Sequence, residues 1–349
     1  MTLQISNRSI SKNNPPFIIA ELSGNHNQSL QRALAMVEAA AAAGVDAIKL
    51  QTYTANTMTL PLNYGDFIIT EKESLWYGKS LYDLYEIAHT PWEWHQAIVD
   101  HARKYNLILF SSPFDKTSVD FLEKLSVPCY KIASFENGDL PLLRRVARTG
   151  KPVLLSTGMA SIADLHEAVT TLRDNGCRDI ILLKCTSTYP ANTNDSHLNT
   201  IPHLRQLFNC EVGLSDHTQG IGAAIAAVAL GATVVEKHFT LSRADGGVDA
   251  EFSLEPEELR SLVTEIRNAW KALGTIHYGV LNNEKSSTRF RRSIYVVNDI
   301  NAGEILTENN IRIIRPGFGL EPKYIDQVIG RRAAQKLPCG TALKWHHLV

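Results

Sequence analysis

Cysteine is scarce, with five in 349 residues (Cys129, Cys177, Cys185, Cys210 and Cys339) and no CxxC pair among them. That excludes a disulfide framework and a thiolate zinc site, and leaves reduced, mostly buried thiols as the expectation. Nowhere do about 18 uncharged apolar residues run together, so no membrane helix is expected. The opening MTLQISNRSISKNNPPF has no apolar stretch of the kind a signal peptide needs, and a cytoplasmic location follows as an expectation. An excess of one charge is also missing. Lys plus Arg number 35 against 36 Asp plus Glu, a formal net charge of −1, which argues against nucleic-acid binding while leaving room for a local basic patch that takes phosphate. Neither HExxH nor a GxGxxG after the first apolar run occurs, which removes the helix-borne zinc motif and the dinucleotide fingerprint.

The chain does have an ordinary globular balance, 44% hydrophobic and 20% charged. It also has eight short apolar runs, each ending in polar, ionisable or hydroxyl residues: Phe17 to Leu22, Asp46 to Gln51, Leu107 to Ser111, Cys129 to Ala133, Val153 to Ser156, Ile180 to Cys185, Glu211 to Ser215 and Thr233 to His238. Helical periodicity alternates with them over Leu30 to Ala43, Pro91 to Tyr105, Asp115 to Leu125, Leu140 to Thr149, Ile162 to Asn175, Ile201 to Phe208, Ile221 to Leu230 and Pro256 to Leu273. Strict alternation calls for a parallel sheet with helices outside it. The counts fit a closed (β/α)8 TIM barrel. An open doubly wound sheet fits less well, because the polar strand ends are spread over all eight units and do not gather at one switch point.

Two segments break the pattern. Thr52 to Thr90 is long and rich in aromatics (Trp76, Tyr77, Tyr82, Tyr85), reading as a lid or a subunit contact. Around 282–292 the charge density rises and the helical pattern stops, so the expected division is a barrel over 1–281, a linker over 282–292 and a small mostly-β domain over 293–349. The last is built from SIYVV, IRIIRP, AAQKL and ALKW and is too small to stand without a packing surface.

Barrel sites are built at the carboxyl ends of the strands, so the polar run ends converge on one mouth. Alternation puts Glu236 with His238, and Ser215 with His217, on one face of neighbouring strands, close enough for two imidazoles to share one metal ion. Imidazole with oxygen ligands and open positions fits Mn²⁺, Mg²⁺ or Co²⁺ as a Lewis acid; the bland alternative is two hydrogen-bonded packing histidines. Lys49, Lys131 and Lys184 end three further runs and would repel one another unless a phosphate or carboxylate lay among them, or unless they pair with Glu21 and Glu236. Hydroxyls at Ser112 and Ser215 could complete a phosphate cradle. Glu21 could position a water or exchange a proton, and an ion pair with a barrel lysine is compatible with that. Asp249 falls in the loop after the eighth run, where it can reach the mouth or simply form a turn.

All of these residues except Lys184 and Asp249 lie in IAELSGNHN (19–27), AIKLQTY (47–53), FSSPFD (110–115), YKIASFEN (130–137), LLSTGMA (154–160), CTSTYP (185–190), GLSDHT (213–218) and VEKHFT (235–240). In these segments, and over nearly its whole length, the chain resembles the sialic acid synthase family, and IRPGFGLEP (314–322) resembles that family's antifreeze-like SAF domain. The resemblance implies condensation of phosphoenolpyruvate with an acetamido sugar, releasing phosphate and giving a nine-carbon 2-keto acid. It implies His217 and His238 as holders of a divalent metal, and Lys49, Ser112, Lys131, Ser187 and Ser215 as the phosphoenolpyruvate grip. By the same resemblance Glu21 handles the proton or water at C2, and Gln51, Glu136, Tyr189 and Asp249 contact the sugar. Phe290 and Arg315 match positions supplied by a partner subunit, implying a domain-swapped homodimer.

Departures from the family's commonest pattern fall around the sugar contacts: CTSTYP lacks the usual TN before YP, and GGVDAEFSLEP (246–256) replaces a GPDH-like loop. With the aromatic stretch 73–95 they resemble the pseudaminic acid branch. Apolar Phe252 and a tryptophan-rich lid suit a 6-deoxy, doubly acetamidated hexose, 2,4-diacetamido-2,4,6-trideoxy-altrose, because a polyhydroxylated sugar would leave buried hydroxyls without partners. Synthases of neuraminic or legionaminic acid are the near alternatives. A Schiff-base aldolase, which needs a lysine of lowered pKa in an apolar pocket, and a non-catalytic glycan or ice binder are alternatives of other classes.

Overall fold

The computed structural model describes residues 3–349. The chain divides into one compact unit ending at Gly274 and a second, Thr275–Val349.

In the first unit, strands β1 (Leu3–Ile5) and β2 (Arg8–Ile10) form a short antiparallel hairpin, and eight strands follow: β3 (Phe17–Glu21), β4 (Ala47–Thr52), β5 (Ile108–Pro113), β6 (Tyr130–Ile132), β7 (Val153–Ser156), β8 (Ile180–Cys185), β9 (Glu211–Asp216) and β10 (Val234–His238). They pair in parallel, each with the next, and β10 closes on β3, so the expected barrel is present with every strand within two residues of its sequence-based bounds. Strands this apolar, and buried throughout in β3, β6, β7, β8 and β10, are what a parallel sheet covered on its outer face requires.

Helices α1 (Leu30–Ala43), α2 (Ala55–Met58), α3 (Leu81–Ala88), α4 (His95–Lys104), α5 (Lys116–Lys124), α6 (Leu140–Ala147), α7 (Ile162–Asp174), α8 (Thr200–Phe208), α9 (Gly222–Ala229) and α10 (Pro256–Leu273) complete the unit. Each barrel helix buries one stripe on the strands, as α1 does with Ala33, Met36, Val37 and Ala40. The segment Thr52 to Thr90 is not structureless: it holds α2 and α3. Ser80 caps α3 by accepting from the Asp83 N–H. At the amino-terminal side of the strands, Arg8 pairs with Asp46, whose other oxygen accepts from the Ile18 N–H at 2.9 Å and ties the hairpin to the barrel.

The second unit has its own core of Ile294, Val296, Ile300, Leu306, Ile311, Leu320, Val328, Ala333, Leu337 and Leu343. Strands β11 (Ser293–Val296) and β12 (Ile311–Ile314) pair antiparallel. AAQKL and ALKW, expected as strands, make only isolated bridges (Ala333 to Leu348, Ile300 to Leu337, Tyr295 to Ala342), and the turn through Pro338 and Gly340 separates the two segments. The segment expected as a linker carries a 3₁₀ helix, Asn282–Phe290, its first turn held by Glu284 accepting from the Leu281 N–H at 2.9 Å.

Candidate active site

Register decides which strand residues face the barrel interior. His238 pairs with Glu21, Glu21 with Lys49, Gln51 with Ser112, and Glu236 with Ser215, so all of these point inward together. Cys185 pairs with Ser215 and therefore also points in, which places Lys184 on the outer face with Leu214. The expected trio of lysines is thus a pair. Lys184 turns away, its ammonium 2.9 Å from Thr186 Oγ1 and 3.1 Å from the Cys185 carbonyl. Ser111, one residue before Ser112, likewise faces out and bonds Thr52 Oγ1 at 2.6 Å.

At the centre of the mouth lies a buried charge network. Lys49 Nζ stands 2.7 Å from Glu21 Oε2 and 2.9 Å from Glu236 Oε1, and Lys131 Nζ approaches the same Glu236 oxygen at 3.4 Å. Ser215 Oγ donates to it as well at 2.9 Å. The sequence left open whether these lysines await an anion or pair with barrel carboxylates; each pairs, and two ammonium groups share one carboxylate. Burial works to raise Glu236, but Lys131 and Lys49 outweigh it and hold its carboxyl below the usual carboxylate range. Burial lowers Lys49 to about 8 against the pull of Glu236.

Beside this network stand the two histidines, ring centroids 5.3 Å apart. Nδ1 of His217 donates to the Thr186 carbonyl at 2.9 Å, which leaves Nε2 as the free lone pair. Nδ1 of His238 has no hydrogen-bond partner among the described residues and faces Asp249 Oδ2 at 3.5 Å. Burial lowers the His238 pKa, which favours the neutral ring that a metal ligand must have. Tyr189 packs on His217 at 4.6 Å and Phe252 on His238 at 4.9 Å between centroids, forming an apolar wall round the imidazoles. Among the described residues no group of three or more His, Cys, Asp or Glu is arranged as a metal cluster. The pair alone could anchor a divalent ion whose other positions face substrate and water.

The remaining candidates of the first unit gather round these groups. Ser187 Oγ donates to Ser134 Oγ at 2.8 Å and needs Gly158 beside it, where a Cβ would lie 2.1 Å from that oxygen. Among the described residues the buried hydroxyls of Ser112 and Ser156 have no partner, an arrangement that suits a ligand with several acceptor oxygens. Burial raises Glu136 to about 7 while Lys131 opposes the rise. Phe290 and Arg315 belong to the second unit and are both exposed there.

Sequence reasoning missed the loop between β3 and α1. Ser23 donates to Asp249, Asn25 Oδ1 accepts from the Asp249 N–H at 3.2 Å, and Asn25 Nδ2 donates to Ser253 Oγ at 2.8 Å. Gly24 makes this fit possible, since a Cβ there would fall 2.5 Å from Val248 and 2.8 Å from the Ala88 carbonyl. Cys185 was missed too, although the alternation that selected Glu236 and His238 would have selected it over Lys184. Above the mouth, Trp76 of the long segment donates its indole N–H to the Val248 carbonyl at 2.9 Å and lies 5.9 Å from the Tyr189 ring. That contact seats the segment over the mouth of its own barrel. With Leu75, Lys79 and Ile87 it lines a cavity of about 580 Å³ against Gly24, Gly247 and Val248.

Known proteins share this arrangement of chain. Residues 36–278 match the NeuB family, and 291–349 match the SAF domain. The chain is 44% identical over 328 residues to pseudaminic acid synthase of Campylobacter jejuni, covering 94% of this chain and 95% of that one. It is 42% identical over 330 residues to pseudaminic acid synthase of Helicobacter pylori, covering 94% and 96%. Among solved structures, the N-acetylneuraminic acid synthetase of Leptospira borgpetersenii, determined with citrate, superposes with a TM-score of 0.73 at 34% identity, covering 82% of this chain and 95% of that one. With a family match over most of its barrel, a SAF match over its second unit and relatives above 40% identity along almost all of its length, the chain belongs to the NeuB family.

Proposed function

We propose that the chain is a pseudaminic acid synthase, condensing phosphoenolpyruvate with 2,4-diacetamido-2,4,6-trideoxy-β-L-altropyranose to release phosphate and give a nine-carbon 2-keto sugar acid. It works in the cytoplasm as a domain-swapped homodimer with a divalent metal, Mn²⁺, Mg²⁺ or Co²⁺. The activity named for its relatives supports this. The observation that carries it is the sharing of one buried carboxylate, Glu236, by Lys49 and Lys131 beside a histidine pair in which His217 donates Nδ1 to the Thr186 carbonyl.

Lys49 and Lys131 grip the phosphate and carboxylate of phosphoenolpyruvate, and Ser112, Ser187 and Ser215 supply hydroxyls to the remaining oxygens. Gln51, Glu136, Tyr189 and Asp249 line the sugar side, with Phe290 and Arg315 reaching in from the partner chain. His217 and His238 fit a divalent ion, since His217 donates Nδ1 to a carbonyl and His238 turns Nδ1 toward a carboxylate. Such an ion, when bound, polarises the aldehyde of the open-chain sugar. The C3 of phosphoenolpyruvate forms the new bond to the aldehyde carbon, whose oxygen takes a proton and becomes a hydroxyl. Water adds to C2 and loses its protons, and the C2–O bond to phosphate breaks, so that C2 ends as a ketone. Glu21, held by the Ser23 N–H at 2.9 Å and by Lys49, is oriented to receive a proton from that water.

Phosphate release from phosphoenolpyruvate with a panel of acetamido sugars, with and without EDTA, tests the proposal. Turnover with the 6-deoxy diacetamido sugar, abolished by EDTA and restored by Mn²⁺, is the expected result. Turnover with N-acetylmannosamine and none with the diacetamido sugar would overturn the branch, and inactivation by borohydride with pyruvate, indifferent to EDTA, would overturn the chemistry.

A further inference from the structure

Ser23 lies two residues beyond Glu21 at φ 46°, in the left-handed region that favours glycine, yet it carries a side chain. That side chain is 2% exposed and wholly engaged: its hydroxyl donates to Asp249 Oδ2 and accepts from Gln51 Nε2 at 3.3 Å. Its backbone N–H donates to Glu21 Oε1 at 2.9 Å. One residue thus joins three groups of the mouth, from β3, from β4 and from the loop after β10. A non-glycine residue in strained backbone persists where its surroundings over-determine it, and such residues cluster at functional sites.

We infer that Ser23 is a positioning residue for the sugar side of the site, its hydroxyl locking the Asp249 carboxylate and the Gln51 amide into one fixed pair; this rests on the function proposed above. The hydroxyl takes up Asp249 Oδ2 and one Gln51 N–H, leaving Asp249 Oδ1 to accept from a sugar hydroxyl or acetamido N–H and the Gln51 carbonyl oxygen to do the same. Fixing both groups before the sugar arrives removes ordering that binding would otherwise have to supply. Asn25 ties the same loop separately, through the Asp249 N–H and Ser253, so loss of the Ser23 hydroxyl frees the carboxylate and loosens the loop without unfolding it.

The test compares Ser23→Gly, which removes the hydroxyl and relieves the backbone, with Ser23→Ala, which removes the hydroxyl and keeps the strain. Both raise the KM for the diacetamido sugar about tenfold and leave the KM for phosphoenolpyruvate within about twofold. Ser23→Gly melts no lower than the wild type, whereas Ser23→Ala melts lower. Without any substrate, amide hydrogen exchange over residues 247–254 speeds up in both variants while β8 keeps its protection. An unchanged sugar KM overturns the inference, as does unchanged exchange in that loop. If the wild type releases no phosphate with any acetamido sugar, the proposed function falls and the exchange result decides the role of Ser23 alone.

Discussion

Lys131 and Lys184 show how one residue's parity separates a site from its wall. Both end barrel strands, but only Lys131 shares a face with Glu236, at 3.4 Å. Lys131→Met is expected to weaken phosphoenolpyruvate binding by about 10–100-fold, whereas Lys184→Met leaves it within about twofold, as titration calorimetry would show. Equal losses in the two variants would contradict the assignment of faces. Glu236→Gln leaves two buried ammonium groups without their shared counter-charge and should cost about 3–5 kcal/mol in denaturant unfolding, with loss of activity. The inward residues Glu21, Lys49, Ser215, His217, Glu236 and His238 were legible because a strict period of two needs only a sequence. Ser23 and Asn25 were not, because their partners, at Asp249 and Ser253, lie more than two hundred residues away and loop backbone carries no period.

At the scale of the element, the helices and strands of the barrel were readable from periodicity, including α1 and α10 to the residue. The hairpin β1–β2 was not, since three-residue strands are too short to show alternation. Helix α3 carried a signal, Ser80 followed three residues on by Asp83, but it was submerged in an aromatic segment that reads as loop. That long segment is fastened by buried histidines to which sequence reasoning assigned no role: His26 Nε2 meets Thr90 Oγ1 at 3.2 Å and His95 Nε2 meets Thr52 Oγ1 at 2.8 Å. Burial lowers both from 6.5 to about 4, and for His26 the nearby His89 and His95 add to the effect. The folded state therefore prefers the neutral rings, so their contribution is complete above pH 6.5 and is lost as pH falls toward about 4, at up to about 3 kcal/mol for each. Thermal unfolding should show Tm falling through this window, with a shallower fall in His95→Asn; equal slopes in the variant and the wild type would contradict it.

For the molecule as a whole, composition and alternation announced a barrel with a small β unit after it, and the resemblance extended that to a shared site between chains. Phe290 and Arg315, in the second unit, test the sharing. If each barrel borrows Arg315 from its partner, then Lys131→Met and Arg315→Ala chains, each inactive alone, recover about one quarter of wild-type activity when unfolded together and refolded, because half the dimers are mixed and each holds one intact site. No recovery would mean that barrel and Arg315 act within one chain.

The chemistry itself is read most directly from the fate of one oxygen. With phosphoenolpyruvate carrying oxygen-18 at the bridge between C2 and phosphorus, and the diacetamido sugar present, the label should leave entirely in the released phosphate and the new ketone oxygen should come from water. Label retained in the nine-carbon product, or phosphate released equally well without the sugar, would contradict a site in which Glu21 directs water to C2 while the lysine pair holds the leaving phosphate.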